Sequence, residues 1–227
     1  MIPAPAWKRW LSYLTELHVE SAPSALNPHL YVSLKDGRYQ LSTANAVYSF
    51  ADRYDNYTLA LRAVRPALLH GPVLVLGYGL GSVPHLLERN HPAPDYHFTG
   101  VELDEHVLYL ADRYAPPLAA PVDLLLADAN AFVHQDHGRY QLIAMDVFVD
   151  DTIPSVFLQR PFLEALRTRL LPDGVLLYNH LALRAEDRRR AVAFFNGAFT
   201  DVFPTGTYLD VDGNYMLVNR REAVGEL

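Results

Sequence analysis

Apolar runs alternate with amphipathic segments from about residue 72 onward. Buried strands are predicted by short apolar runs at residues 73–76, 97–101, 122–127, 142–146 and 175–178. Segments with apolar positions on one helical face follow these runs, including 156–171 and 185–195. Because strands and helices that alternate form right-handed crossover units, the pattern predicts a mostly parallel sheet covered by helices on both faces. Two later runs, around Val202 and at 215–218, predict an antiparallel end to that sheet.

The first 65 residues follow a different pattern. An amphipathic helix over residues 5–18 is predicted by helical spacing of Trp7, Trp10, Leu11, Leu14 and Leu17. We expect this apolar stripe to pack on the domain or on a partner subunit. Runs at 30–34 and 39–42 flank the turn sequence Lys-Asp-Gly-Arg and predict a β-hairpin. A third run at 46–50 and a helix at 53–64 complete an extension, residues 1–65, ahead of the main domain at 66–227.

Composition narrows the function classes. The net charge of −7 and the lack of a basic cluster argue against nucleic-acid binding. The chain has no cysteine, which excludes disulfides, thiolate metal sites and a cysteine nucleophile. His134 and His137 lack a third ligand at a recognised spacing, so no metal is expected. No apolar run approaches the roughly 20 residues of a membrane helix, and the N-terminus lacks signal-peptide features. We therefore expect a soluble, cytoplasmic protein with no membrane partner.

A glycine-rich loop follows the first strand of the main domain. Its sequence is Gly77-Tyr78-Gly79-Leu80-Gly81, and an amphipathic helix begins directly after it. Glycine lets the backbone turn sharply and lets a ligand approach closely. The spacing differs from the dinucleotide fingerprint, and the lysine and hydroxyl residue of a P-loop are absent. The loop therefore predicts a nucleoside-containing cofactor, with all five residues in contact with it.

Acidic residues stand where the next two strands end. Glu102, followed by Leu103, can accept both hydroxyl hydrogens of a ribose. Asp128, followed by Ala129, can accept a hydrogen bond from the amino group of adenine. Asp128 is also a favoured helix N-cap, and both roles can hold together.

Asp146 ends the fourth strand and is followed by Asp150 and Asp151 in the next loop. Ligands of open α/β sheets bind at the carboxyl ends of the strands, so these acids could hold a cationic amine and take its proton. The alternative is a solvated loop with Asp146 bonded to backbone amides. We predict a catalytic role for Asp146 and include Asp150 and Asp151 as further candidates.

Several motifs combine into a family resemblance over about residues 31–179. They are the hairpin sequence at 34–41, Tyr54 in the next helix, and residues 77–81, 101–104, 128–129, 140–146 and 170–175. Together they resemble the spermidine synthase-like branch of the class I S-adenosylmethionine-dependent methyltransferase fold. The resemblance implies a Rossmann-like sheet with an antiparallel last strand. It also implies that Glu102 binds ribose, that Asp128 and Ala129 bind adenine, and that Asp146 is the catalytic acid. Gln40 would border the tail of the ligand.

The chain departs from the motifs of the aminopropyltransferases it resembles. Their glycine loop has an aspartate where this chain has Leu80, and their Asp-Ser-Ser/Thr-Asp-Pro loop is replaced here by residues 146–150. An aspartate at position 80 would repel the carboxylate of S-adenosylmethionine, so Leu80 favours that cofactor over its decarboxylated form.

These observations leave three functions open. The first is a transferase that moves a methyl or related alkyl group from S-adenosylmethionine to a small acceptor, for which an amine is one candidate. The second is an aminopropyltransferase that uses decarboxylated S-adenosylmethionine to extend a polyamine. The third is a non-catalytic binding or assembly protein. The first helix and the small sheet could form the interface of a homodimer.

Overall fold

The computed structural model describes residues 1–225, in which eleven strands form two sheets. The strands are β1 Leu17–Ser21, β2 Tyr31–Lys35, β3 Arg38–Ser42, β4 Val47–Ser49, β5 Pro72–Leu76, β6 His97–Glu102, β7 Val122–Leu126, β8 Tyr140–Met145, β9 Leu170–Leu181, β10 Thr207–Asp210 and β11 Asn214–Val218. The principal helices are α1 Ala6–Leu11, α2 Asp55–Ala63, α3 Ser82–Asn90, α4 Glu105–Tyr114, α5 Ala129–Gln135, α6 Arg160–Arg169 and α7 Ala185–Phe194.

The larger sheet has the order β10-β11-β9-β8-β5-β6-β7. Strands β5 to β9 are parallel, while β11 and β10 are antiparallel to their neighbours. The predicted α/β class, with a mostly parallel sheet and an antiparallel end, is confirmed. Leu76 pairs with Val101 of β6 and with Met145 of β8, so these strands end side by side. The acids that follow them are thereby brought to one edge.

The smaller sheet is antiparallel and has the order β1-β2-β3-β4. Asp36 and Gly37 form the tight turn between β2 and β3, and both have positive φ angles, of 50° and 73°. This geometry suits the right-handed twist of a two-residue hairpin, so the predicted hairpin is present. Val32 and Leu41 of this sheet belong to the same buried cluster as Val75 of β5. The extension therefore packs directly on the larger sheet. The division at residue 65 stays a prediction.

The predicted helix at residues 5–18 is wrong in its second half. Helix α1 ends at Leu11, and residues from Leu17 form β1 against β2. The hairpin turn ends the helix, because the backbone amides of Asp36 and Gly37 donate to the carbonyl and hydroxyl oxygens of Ser12. The aromatic stripe does not pack on the domain either. Trp7 and Trp10 are 64% and 69% exposed.

The predicted strand around Val202 is also wrong. Residues 195–202 are helical, and the first antiparallel strand of the end begins only at Thr207. Phe195, Phe199 and Phe203 recur every four residues, and their neighbouring rings lie at centroid distances of 5.8 and 5.1 Å. That spacing places Phe199 and Phe203 in the core, with Phe195 partly buried against it. No helix within residues 1–225 has the length and apolar character needed to cross a membrane.

Candidate active site

A cavity of about 840 Å³ lies where the small sheet meets the carboxyl ends of the large-sheet strands. Nine carboxylates line it against three cationic side chains, so it favours a positively charged ligand. The acids are Asp55, Glu102, Asp104, Asp128, Asp146, Asp150, Asp151, Asp187 and Asp212, and the cations are Lys35, Arg53 and Arg184.

The glycine loop forms one wall of the cavity through its backbone. Gly77 has a φ of +82°, and a Cβ there would lie 2.3 Å from the carbonyl oxygen of Asp146. Gly79 has a φ of +55° and faces β4, where a Cβ would lie 3.1 Å from the Cβ of Ser49. Any side chain at position 77 would therefore force β5 and β8 apart. Gly77 and Gly79 both line the cavity.

Glu102 is held at the end of β6 by backbone amides. Its Oε1 accepts hydrogen bonds from the amides of Leu103 at 2.9 Å and Asp104 at 3.2 Å, and its Oε2 faces the amide of Gly79 at 3.4 Å. Burial raises the pKa of Glu102, although these amides act in the opposite direction. The carboxylate is thus fixed in the cavity wall with lone pairs left to bind hydroxyl groups. Leu103 lines the cavity beside it.

Asp128 caps α5. Its Oδ1 accepts a hydrogen bond of 2.7 Å from the amide of Ala131, as expected for an N-cap. Asp128 and Ala129 also line the cavity, next to Glu102 and Leu103. The capping role is confirmed, and the adenine-binding role stays a prediction.

Asp146 follows β8 directly and lines the cavity. Tyr54 Oη donates to its Oδ2 at 2.7 Å, and Asn179 Nδ2 donates to its Oδ1 at 2.8 Å. Asn179 is in turn fixed by Asn214 Nδ2, which donates to its Oδ1 at 2.8 Å. Burial raises the pKa of Asp146 to about 6, and the nearby charge of Glu102 adds to that shift. An oriented carboxylate with such a pKa suits proton transfer near neutral pH.

Asp150 has a different environment from Asp146. Thr43 Oγ1 and the amide of Asn45 donate to its Oδ1 at 2.7 and 3.2 Å, and Asn45 Nδ2 donates to its Oδ2 at 2.5 Å. The Asn45 side chain holds the pKa of Asp150 below its ordinary value. The backbone amide of Asp150 donates a hydrogen bond to Tyr48 Oη at 2.6 Å. Asp150 thus fastens the loop after β8 to the small sheet. Asp151 is exposed and lines the cavity.

No family model matches the chain. A relative from Bifidobacterium longum, named probable polyamine aminopropyl transferase, is 28% identical over 156 residues, which is 69% of this chain and 34% of the relative. The chain therefore spans about a third of the length of that curated relative. A probable spermidine synthase from Corynebacterium glutamicum superposes with a TM-score of 0.66 at 19% identity, over 83% of this chain and 75% of the other. This chain has the spermidine synthase-like form of the class I methyltransferase fold.

A methyltransferase of the same fold is also similar. Human methyltransferase-like protein 13, whose structure is a complex with S-adenosylhomocysteine (SAH), superposes with a TM-score of 0.59 at 25% identity. The match covers 77% of this chain and 84% of the other. The spermidine synthase-like fold of this chain is therefore shared by proteins that bind S-adenosylmethionine-related ligands.

The predicted site residues divide into two groups. The cavity is lined by Gln40, Gly77, Gly79, Glu102, Leu103, Asp128, Ala129, Asp146, Asp150 and Asp151. The other three are Tyr78, Leu80 and Gly81. Tyr78 and Leu80 are 5% and 1% exposed and pack in the core, while Gly81 is the N-cap of α3 and lies against the ring of Tyr78. The side chain of Leu80 therefore does not face the cavity.

Three residues that position the site were not predicted as site residues. Tyr54 and Asn179 hold Asp146, and Tyr48 holds the loop of Asp150. A buried asparagine in the apolar run of β9 is a signal for Asn179, because a buried amide needs hydrogen-bond partners. Tyr48 gave no such signal, since its partner is about a hundred residues away in the chain.

Proposed function

We propose that this protein transfers an alkyl group from a sulfonium compound of the S-adenosylmethionine type to a small amine. Asp146 is the proposed base, Glu102 the ribose ligand, and Asp128 with Ala129 the adenine contacts. The observation that carries the proposal is the fixed pair of Glu102 and Asp146 in one acidic cavity, at the adjacent ends of β6 and β8.

Alkyl transfer to an amine requires one acidic residue to accept a proton and others to attract the cationic acceptor. A bound sulfonium supplies an activated carbon, and as the amine nitrogen bonds to it, the carbon–sulfur bond breaks and a thioether leaves. The amine must lose a proton in this step. Asp146 takes that proton, while the surrounding acids attract the cationic acceptor and balance its charge. Tyr54 and Asn179 keep the carboxylate pointing into the cavity.

Aminopropyl transfer from decarboxylated S-adenosylmethionine is the form best supported by the comparisons. The similar protein of Bifidobacterium longum is named for this activity, and a spermidine synthase in complex with the transition-state analogue AdoDATO shares the fold, with a TM-score of 0.66 at 15% identity. Nine cavity acids are consistent with a polyamine acceptor.

Methyl or related alkyl transfer from S-adenosylmethionine is the second candidate. It is favoured by the sequence of the glycine loop, which contains no acidic side chain that could bind the ammonium group of the decarboxylated donor. The similarity to methyltransferase-like protein 13 is consistent with it.

A transfer assay separates these candidates. The purified protein is incubated with S-adenosylmethionine or its decarboxylated form and a set of diamines, and the products are identified by mass spectrometry. Aminopropylated diamine supports the first form, and methylated amine supports the second. Binding of methylthioadenosine, the part that both donors have in common, is measured by calorimetric titration in parallel. We expect Glu102→Ala to weaken that binding about a hundredfold or more, because two charge-assisted hydrogen bonds to ribose are lost. If the protein binds no adenosyl compound, and if replacing Asp146 changes none of its measured properties, it would be a binding or assembly protein.

A further inference from the structure

Two of the three cationic side chains that line the cavity belong to the N-terminal extension. They are Lys35 at the end of β2 and Arg53 just before α2. The Nζ of Lys35 lies 6.0 Å from the ring centroid of Phe50. The backbone amide of Arg53 donates to the carbonyl of Phe50 at 2.8 Å. The ammonium group of Lys35 therefore lies beside Phe50, Arg53 follows Phe50 by three residues, and all three residues line the cavity.

Neither Lys35 nor Arg53 forms an ion pair within residues 1–225. The nearest acid in sequence to Arg53, Asp52, is already paired with Arg38 and Arg89. Lys35 is half-buried and Arg53 is exposed, and an anionic group bound between the cavity and these side chains would gain charge-assisted hydrogen bonds from them. In a cavity that is otherwise acidic, this pair of cations indicates a place for an anionic group.

The strand face that carries Lys35 is polar and has an unfilled hydrogen-bond position. Ser33 lies two residues before Lys35 and so on the same face of β2, directly opposite Gln40 of β3. The hydroxyl of Ser33 is fully buried and has no hydrogen-bond partner in the described part of the chain. Gln40 is 4% exposed, donates to Ser42 Oγ at 2.9 Å and lines the cavity. Of these two residues only Gln40 lines the cavity, so it is the polar group of this strand face that a ligand can contact.

This polar face adjoins the glycine loop. Ser49, the residue before Phe50, packs against Gly79. We propose that Lys35 and Arg53 bind the carboxylate of an amino-acid tail on the alkyl donor. The inference rests on the proposed function and favours its second candidate over its first, because it makes S-adenosylmethionine itself, rather than its decarboxylated form, the preferred donor.

The test compares three adenosyl ligands by calorimetry. Methylthioadenosine has no amino-acid tail, SAH has a tail with a carboxylate, and decarboxylated SAH has the tail without it. We expect Lys35→Gln to weaken SAH about ten- to a hundredfold, as for loss of a charge-assisted pair. Binding of the other two ligands should not weaken. Lys8→Gln is the matched control, because Lys8 lies on the surface of α1 outside the cavity. Lys35→Arg should retain most of the SAH affinity.

Each outcome has a distinct meaning. If the unaltered protein binds SAH and decarboxylated SAH equally and Lys35→Gln changes neither, the carboxylate site on the donor is refuted. If Lys35→Gln leaves all three affinities unchanged but raises KM for an amino-acid acceptor relative to a diamine, the carboxylate belongs to the acceptor and the donor assignment is overturned. If the unaltered protein does not bind methylthioadenosine, the proposed function itself fails.

Discussion

Replacement of Asp146 by asparagine should separate catalysis from stability. Asparagine has nearly the same shape, and its oxygen can still accept the hydrogen bond from Asn179. Its amide nitrogen then faces Tyr54, whose hydroxyl can rotate to accept instead of donate. The variant should therefore fold with all hydrogen bonds intact. The ability to take a proton is lost, and general base catalysis is worth about 10²–10⁴-fold in rate.

The effect on stability has the opposite sign. The pKa of Asp146 is raised from an unfolded value of 3.8 to about 6 in the folded protein. The folded state therefore binds the proton more tightly, and between pH 4 and pH 6 the free energy of unfolding falls as pH rises. The difference of about two pH units corresponds to a cost of about 3 kcal/mol above pH 6. Asp146→Asn removes this cost.

Two measurements check this reasoning. Urea unfolding at pH 8 should show the variant to be more stable than the unaltered protein by about 1–3 kcal/mol, while at pH 4 the gap should close. The transfer rate at pH 8 should fall at least about a hundredfold. For the unaltered protein, kcat/KM should rise with pH through about 6. A variant that keeps its rate, or that is less stable at pH 8, would refute the assignment of Asp146 as a buried, strained base.

Three further changes test how the site is held. Tyr54→Phe removes a hydrogen bond that lowers the pKa of Asp146, so the acidic limb of the pH–rate profile should move to higher pH, with methylthioadenosine binding as the control. Asp150→Ala removes the contacts to Thr43 and Asn45 and should lower the free energy of unfolding by about 1–3 kcal/mol in urea titration; an unchanged midpoint would argue against its fastening role. Gly77→Ala puts a methyl group 2.3 Å from the carbonyl oxygen of Asp146, at a residue with positive φ. It should lower the free energy of unfolding by more than about 2 kcal/mol in the same urea titration. An unchanged free energy of unfolding would contradict this and would mean that the loop adapts.

The parallel sheet could be predicted from sequence because its signals are local. Each strand from β5 to β9 is an apolar run, followed in sequence by a segment with helical spacing of its apolar residues. Because the strands are parallel, the acidic residues at their carboxyl ends lie along the same edge of the sheet. Glu102 and Asp146 were found in this way. Their environments were not, since the partners Tyr54 and Asn179 come from distant segments.

Errors arose where a distant contact overrides a local pattern. The periodicity of residues 5–18 is helical, yet the turn at Asp36 and Gly37 ends the helix at Leu11. The glycine loop has no repeating pattern of apolar and polar residues that would indicate the direction of its side chains. The burial of Tyr78 and Leu80 therefore could not be predicted from the sequence. The catalytic role of Asp150 stays a prediction, but its hydrogen bonds to the small sheet could not be predicted because they join residues more than a hundred positions apart.

The small sheet and α2 decide what the larger sheet can do. The acids at the ends of β6 and β8 belong to the large sheet, but the extension covers them and supplies Tyr54. Without that cover Asp146 would lie at an open, hydrated edge, and burial would no longer raise its pKa. The same extension brings Lys35 to the cavity. We infer that reactivity and ligand charge preference are both set by the N-terminal segment, so variation there would alter the reaction while leaving the nucleoside site on the large sheet unchanged.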